Sequence, residues 1–103
     1  MEGIVTEYSQ VCVFCGRPRE AYHHLLMGNG MRQLAEEDGI KIPVCHNCHN
    51  TGKVLERIHD NPMGEAMSKI AGQLAWEKRA VAGGASEEEA RELFRVRFGR
   101  SYL

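Results

Sequence analysis

Two cysteine pairs with the same internal spacing, Cys12-x-x-Cys15 and Cys45-x-x-Cys48, constrain this chain more than any other feature. A two-residue gap lets both sulfurs of a pair reach one ion without strain. Two such pairs together supply the four thiolates of a tetrahedral zinc site. The main competing use of the motif, redox exchange, has no need of two pairs in this arrangement. The first residues, Met1 to Glu7, carry neither the basic stretch nor the apolar run of a secretory signal. The expected setting is therefore the cytoplasm, where thiols stay reduced and cysteines at this spacing point to metal rather than to disulfides. No apolar run approaches the ~20 residues of a membrane span, so no membrane partner is expected.

At 103 residues the chain reads as a single domain, 1–103, small enough to gain from a metal staple. Its first half is polar and glycine-rich, and zinc-binding free energy would become folding free energy there. The net charge is −1, so no general basic surface advertises nucleic acid. A metal can still engage a phosphate directly.

Local patterns give an α+β layout. Residues 8–16 read as an extended segment that turns at Cys15-Gly16, where glycine tolerates the positive φ that aims two sulfurs at one point. Residues 21–26 read as the second strand of that hairpin, and alternation sends His23 and His24 to opposite faces. After the Gly28-Asn29-Gly30 loop, Met31 to Asp38 reads as a short helix that Gly39 stops. Ile40 to Val44 is extended and edge-like because of Pro43. It delivers the second cysteine pair to a helix expected over 47–57. In the second half, Asn61-Pro62 starts a helix with Met67, Ile70, Ala71, Leu74 and Ala75 as its apolar face, ending before Gly83. Ser86 and Glu89 form a capping box for a last helix carrying Ala90, Leu93 and Phe94, stopped near Gly99. A zinc-organised unit over 8–59 is thus expected to be buttressed by two helices over 60–103.

Once four thiolates fill one site, the histidines are surplus. His46, between Cys45 and Asn47, reads as a solvent-facing or supporting residue. His23, His24, His49 and His59 all lie near a cysteine pair or an element end, which suits a second metal and a base. The plainer alternative is that one or two of them hydrogen-bond cysteine sulfurs or fill the small core.

The order Cys-x-x-Cys, His-His-Leu, Pro-Val-Cys-x-x-Cys-His resembles the HNH (ββα-metal, His-Me finger) endonucleases that carry a four-cysteine structural zinc. More narrowly, the chain is similar to small phage-encoded proteins of the recombination-enhancement nuclease (Ref-like) group. The residues that carry this are His23-His24, Gly28-Asn29-Gly30-Met31-Arg32, Gly39-Ile40-Lys41-Ile42, His59 and the ending Phe98-Gly99-Arg100-Ser101-Tyr102-Leu103. The resemblance implies a treble-clef-like ββα-metal unit, with Cys12, Cys15, Cys45 and Cys48 on a structural Zn²⁺. It implies His24 as the general base and His23, His49 and His59 as ligands of a second divalent ion, Mg²⁺, Mn²⁺ or Zn²⁺. An all-imidazole set leans toward a transition metal. The implied activity is metal-dependent DNA hydrolysis in phage or prophage recombination or DNA processing, within a bacterial host. In one respect the chain departs from the pattern. Many HNH proteins place a base-orienting asparagine shortly before the second cysteine pair, where this chain has Ile40; Asn29 and Asn61 are the available substitutes.

That chemistry fits the residue types. Phosphodiester hydrolysis needs a deprotonated water and a cation on the scissile phosphate. Histidine is the side chain whose ordinary pKa suits a base near neutral pH. Arg17, Arg19 and Arg32 lie near the expected site as phosphate contacts or as solvated loop residues. The second reading is a non-catalytic zinc module that binds nucleic acid or a protein partner. On either reading Trp76 and Tyr102 are expected in the core or an interface, and the apolar Met67–Leu74 face is expected to pack on the zinc unit, with part of it available as a dimer surface.

Overall fold

The computed structural model describes residues 1–103. Its regular elements are β1 (Ala21–His24), α1 (Met31–Asp38), β2 (Lys41–Val44), α2 (Pro62–Ala82) and α3 (Glu87–Phe98), with a π-helical turn at Asn47–Thr51 and a 3₁₀ turn at Val54–Glu56. The fold is α+β, a two-stranded sheet with helices, and no helix is long and apolar enough to cross a membrane.

The sheet differs from the expected hairpin. β1 pairs antiparallel with β2, in the register His23 to Ile42 and His24 to Lys41. Residues 8–16 do not join it; they form the cysteine knuckle, closed by a lone bridge between Val11 and Pro18 and tied to β2 by the Val13 N–H on the Pro43 carbonyl. The β1–β2 connection is made by α1, which Gly39 ends in the left-handed region at φ 72°. The N-terminal segment also runs against Gly39, with the Ile4 N–H on its carbonyl, so any side chain there would meet that backbone.

The two residues that follow β1 split the interior in two. Leu25 joins Cys12, Ile42, Val44, Cys45 and Ile58 around the cysteines. Leu26 joins Ala35, Ile40, Phe94 and Phe98 beneath α1 and α3. Ile40 is fully buried there, so it plays no part at the solvent-facing site. Trp76 stands edge-on to Phe94 at 5.6 Å, and Tyr102 packs against the same cluster.

The face that α2 buries also differs from expectation. Met67 and Leu74 are 59% and 53% exposed, while Ser68, Gly72, Gln73 and Glu77 are buried. Gly72 lies so close to β1's continuation that a Cβ there would meet the Leu25 Cβ at 2.9 Å. Close approach, not bulk, selects this face. Gln73 is satisfied within it, donating to Glu77 and Ser101 and accepting from the Tyr102 N–H at 2.6 Å. Arg91 of α3 closes the network on Glu77 at 2.7 Å. The start of α3 matches its sequence: Ser86 and Glu89 hydrogen-bond each other's backbone N–H at 3.0 Å.

Candidate metal centres

The knuckle at 12–15 and the turn after β2 bring four sulfurs together. Those of Cys12, Cys15, Cys45 and Cys48 lie within 4.8 Å of one another, and all four cysteines are free. Cys15 and Cys45 are 3.6 Å apart at sulfur. A tetrahedron with Zn–S bonds of about 2.3 Å has sulfur–sulfur edges of about 3.8 Å, so the spacing fits zinc. The electrostatics agree. Burial pushes the Cys12 thiol up, but backbone hydrogen bonds at Cys45, Phe14 and Cys15 outweigh it and set the thiol at about 6. Burial and the neighbouring sulfurs push Cys48 up to about 12. Without a cation the set holds one negative charge readily and resists more; a dication removes that resistance. Four cysteines placed so can hold a metal ion such as zinc.

A second cluster forms beside it. His23 is on β1 and His49 is in the π-helical turn. His59 reaches them because the chain after the 3₁₀ turn pairs back on that turn: the Ile58 N–H donates to the Cys48 carbonyl and the His59 N–H to the His49 carbonyl, at 3.0 and 3.1 Å. Arg57 clamps this return by donating to the carbonyls of His59 and Gly52 and to Asp60. The helix expected over 47–57 is therefore absent. The π turn closes with the Gly52 N–H on the Asn47 carbonyl, and the chain then bends away so that His59 faces His49.

The ligand nitrogens of His23, His49 and His59 lie within 4.8 Å of one another, with the Nε2 atoms of His49 and His59 at 3.0 Å. Two Zn–N bonds of about 2.05 Å at a tetrahedral angle separate their nitrogens by about 3.3 Å, so the pair fits one shared ion. Burial, with the charges of His49, His59 and His24, lowers His23 to about 3. Burial and the His59 charge lower His49 as well. Both rings are neutral at neutral pH, the form a metal needs.

His24 points to the other face of β1, beside Lys41. Its Nε2 lies 2.8 Å from Glu36 of α1, and Lys41 Nζ lies 2.8 Å from the second Glu36 oxygen. Hydrogen bonds from Lys41 and His24 hold Glu36 down to about 2, so it is a carboxylate and only accepts. The His24 proton on Nε2 thus points at Glu36. Nδ1 makes no hydrogen bond and is not sealed from solvent. Despite the opposite faces, His23, His24, His49 and His59 line one cleft of about 360 Å³, together with Arg32 and Asn50.

Of the three arginines, Arg32 alone lines this cleft, and it has no carboxylate partner. Arg19 is held by Ser9 and the Tyr22 hydroxyl and stacks on the Tyr22 ring. Arg17 is exposed at the knuckle. His46 is exposed and its backbone N–H bonds Glu20. Asn61 bonds the Arg57 carbonyl; the side chain that holds His24 is Glu36. Glu36 and Ser68, which contacts His23 at 2.8 Å, were not identified as site residues in the sequence.

No family model matches the chain, and no curated protein or solved structure matches it. The HNH resemblance therefore rests on its motif residues, and the functional reading on these two clusters.

Proposed function

We propose that the chain is a metal-dependent DNA endonuclease of the HNH type, a ββα-metal unit stapled by a four-cysteine zinc and carrying a second divalent ion on His23, His49 and His59. The observation that carries this reading is the single cleft that unites three mutually close imidazoles with His24. A structural zinc module has no use for that second set. A divalent ion held by the three histidines would supply Lewis-acid stabilisation of the scissile phosphate and the leaving oxygen. His24 takes the proton of the attacking water at Nδ1, because Nε2–H is committed to Glu36. Glu36 does for the base what the absent asparagine does in the resembled family: it fixes the ring, and its charge favours the imidazolium that forms. Arg32 faces the cleft as an unpaired cation for a neighbouring phosphate.

The decisive experiment compares nicking of supercoiled plasmid by wild type and His24→Ala, with Mg²⁺, Mn²⁺ or Zn²⁺ added and metal content measured in parallel. Cleavage by wild type and none by His24→Ala, at equal metal content, is the expected result.

One observation favours a second reading, a non-catalytic zinc module for a protein partner. An apolar groove of about 480 Å³ runs beside the knuckle, lined by Val13, Phe14, Leu25, Ile58 and Met67. Absence of cleavage with every metal, with zinc bound and the chain folded, would make that the working account.

A further inference from the structure

We propose that Ser68 of α2 is a positioning residue for the histidine metal site: its hydroxyl fixes the His23 ring as the Nε2–H tautomer and turns Nδ1 into the metal-binding atom. This rests on the reading of His23, His49 and His59 as a metal site.

The hydrogen-bond inventory leaves little freedom. A serine hydroxyl has one proton to donate and lone pairs to accept with. The Ser68 hydroxyl lies 2.7 Å from the Leu25 carbonyl, which can only accept, so the proton goes there. The same oxygen lies 2.8 Å from His23 Nε2. With its proton already directed at Leu25, Ser68 can only accept from the ring, and Nε2 must carry the hydrogen. The opposite assignment, Ser68 donating to His23, strips Leu25 of its donor in a buried site.

His23 is 1% exposed, and Ser68 is buried as well. A neutral ring protonated at Nε2 has its lone pair at Nδ1. Metal-bound histidines commonly donate their other ring N–H to an oxygen acceptor, which sets the tautomer and the ring plane. Ser68 supplies that acceptor from α2, an element 45 residues further along the chain. Gly72, one turn along α2, makes the reach possible, because a side chain there would collide with Leu25 and lift Ser68 off the strand. The site then takes Nδ1 from His23 and the Nε2 pair from His49 and His59, which already face each other at 3.0 Å.

The test uses the full chain carrying its cysteine zinc. Uptake of a second Zn²⁺ is measured by chelator competition in wild type and Ser68→Ala, and imidazole nitrogen NMR reports which His23 nitrogen holds the proton and which the metal. The expected result is a second-site affinity roughly 10- to 100-fold weaker in Ser68→Ala. The cysteine zinc should be unchanged, and wild-type His23 should be protonated at Nε2 and metallated at Nδ1. Metal on Nε2 of wild-type His23, or unchanged affinity in the folded variant, overturns the proposal. If Ser68→Ala fails to retain its cysteine zinc, the wild-type NMR assignment decides alone. A wild type that takes up only one zinc sinks the histidine metal site itself, whereas two zincs with indifference to Ser68 sink only this inference.

Discussion

The cysteine cluster and the histidine cluster share a turn, yet they are built on opposite principles. Cys48 and His49 are adjacent, and the backbone bonds that bring Ile58 to Cys48 also bring His59 to His49. The cysteine set comes from two local turns, 12–15 and 45–48, each of which preforms half a site. The histidine set joins distant pieces of chain: His23 comes from β1, and His49 and His59 are brought to each other by the backbone pairing of the 49–59 return. In the first cluster Cys12 and Cys45 are buried with Leu25, Val44 and Ile58, while Cys48 is half-buried and Cys15 is exposed. The second opens on a cleft with Arg32 and Asn50 at its edge. A metal in the first cluster would tie the knuckle to β2, and a metal in the second would, on the proposed function, face that cleft.

The largest expected effect breaks the comparison at the cysteine side. Cys45→Ser removes a buried sulfur that also accepts the Cys48 N–H. Structural zinc in small domains contributes apparent binding free energies of about 10–16 kcal/mol, so loss of the ion should unfold the first half and take the histidine site with it. Zinc content and circular dichroism should fall together. His59→Ala is expected to do something different. Zinc uptake should drop from two ions per chain to one, with cooperative thermal melting retained and cleavage lost. Loss of both ions on His59→Ala would show that the two clusters fold as one unit and that the division drawn here is wrong.

A smaller effect is expected at the base. Glu36→Gln keeps an oxygen acceptor for His24 but removes the charge that Lys41 and His24 share. Charged hydrogen bonds exceed neutral ones by about 1 kcal/mol, and Glu36 is partly open to solvent, so kcat should fall about tenfold or less. KM and both metal contents should stay constant. Steady-state nicking at saturating plasmid checks this. A rise in KM with kcat unchanged would mean that Glu36 serves binding and not the base.

The same contrast explains what the sequence disclosed. The cysteine pairs were legible because their chemistry is set by spacing within a turn, and the stops at Gly39 and Gly99 because a left-handed cap is a local demand. The pairing of β1 was not legible. Residues 8–16 are the nearer partner in sequence, but they are committed to the knuckle, and β2 reaches β1 only after α1 has turned the chain back. The run 47–57 opens with Asn, Cys, His, Asn, Thr and Gly, all weak helix formers, and Arg57 and the pairing of His59 with His49 favour a π turn and a return. The face of α2 misled for a related reason. Hydropathy selects Met67 and Leu74, whereas the packing selects Ser68 and Gly72 for their small size. Glu36 and Ser68 reach the histidines only through tertiary structure, so no spacing rule reveals them.

The smallest effect concerns how the open cleft meets its substrate. Arg32 is exposed and unpaired, and its cation lies at the rim of the histidine cleft, while Arg19 is held by Ser9 and Tyr22. The net charge of −1 gives the molecule no general attraction for DNA, so a single free arginine near the site counts for more than it would on a basic surface. A phosphate contact of this kind releases condensed counterions, and removing it lowers the slope of log K against log salt by about 1. Arg32→Ala should therefore raise KM for plasmid a few-fold at low salt, with kcat and both metals unchanged. The defect should shrink as salt is raised. Arg19→Ala at the same salt should leave KM where it was, because that guanidinium is already committed within the fold. Equal effects of the two substitutions would mean that the knuckle surface, and not the histidine cleft, is where the substrate's charge is read.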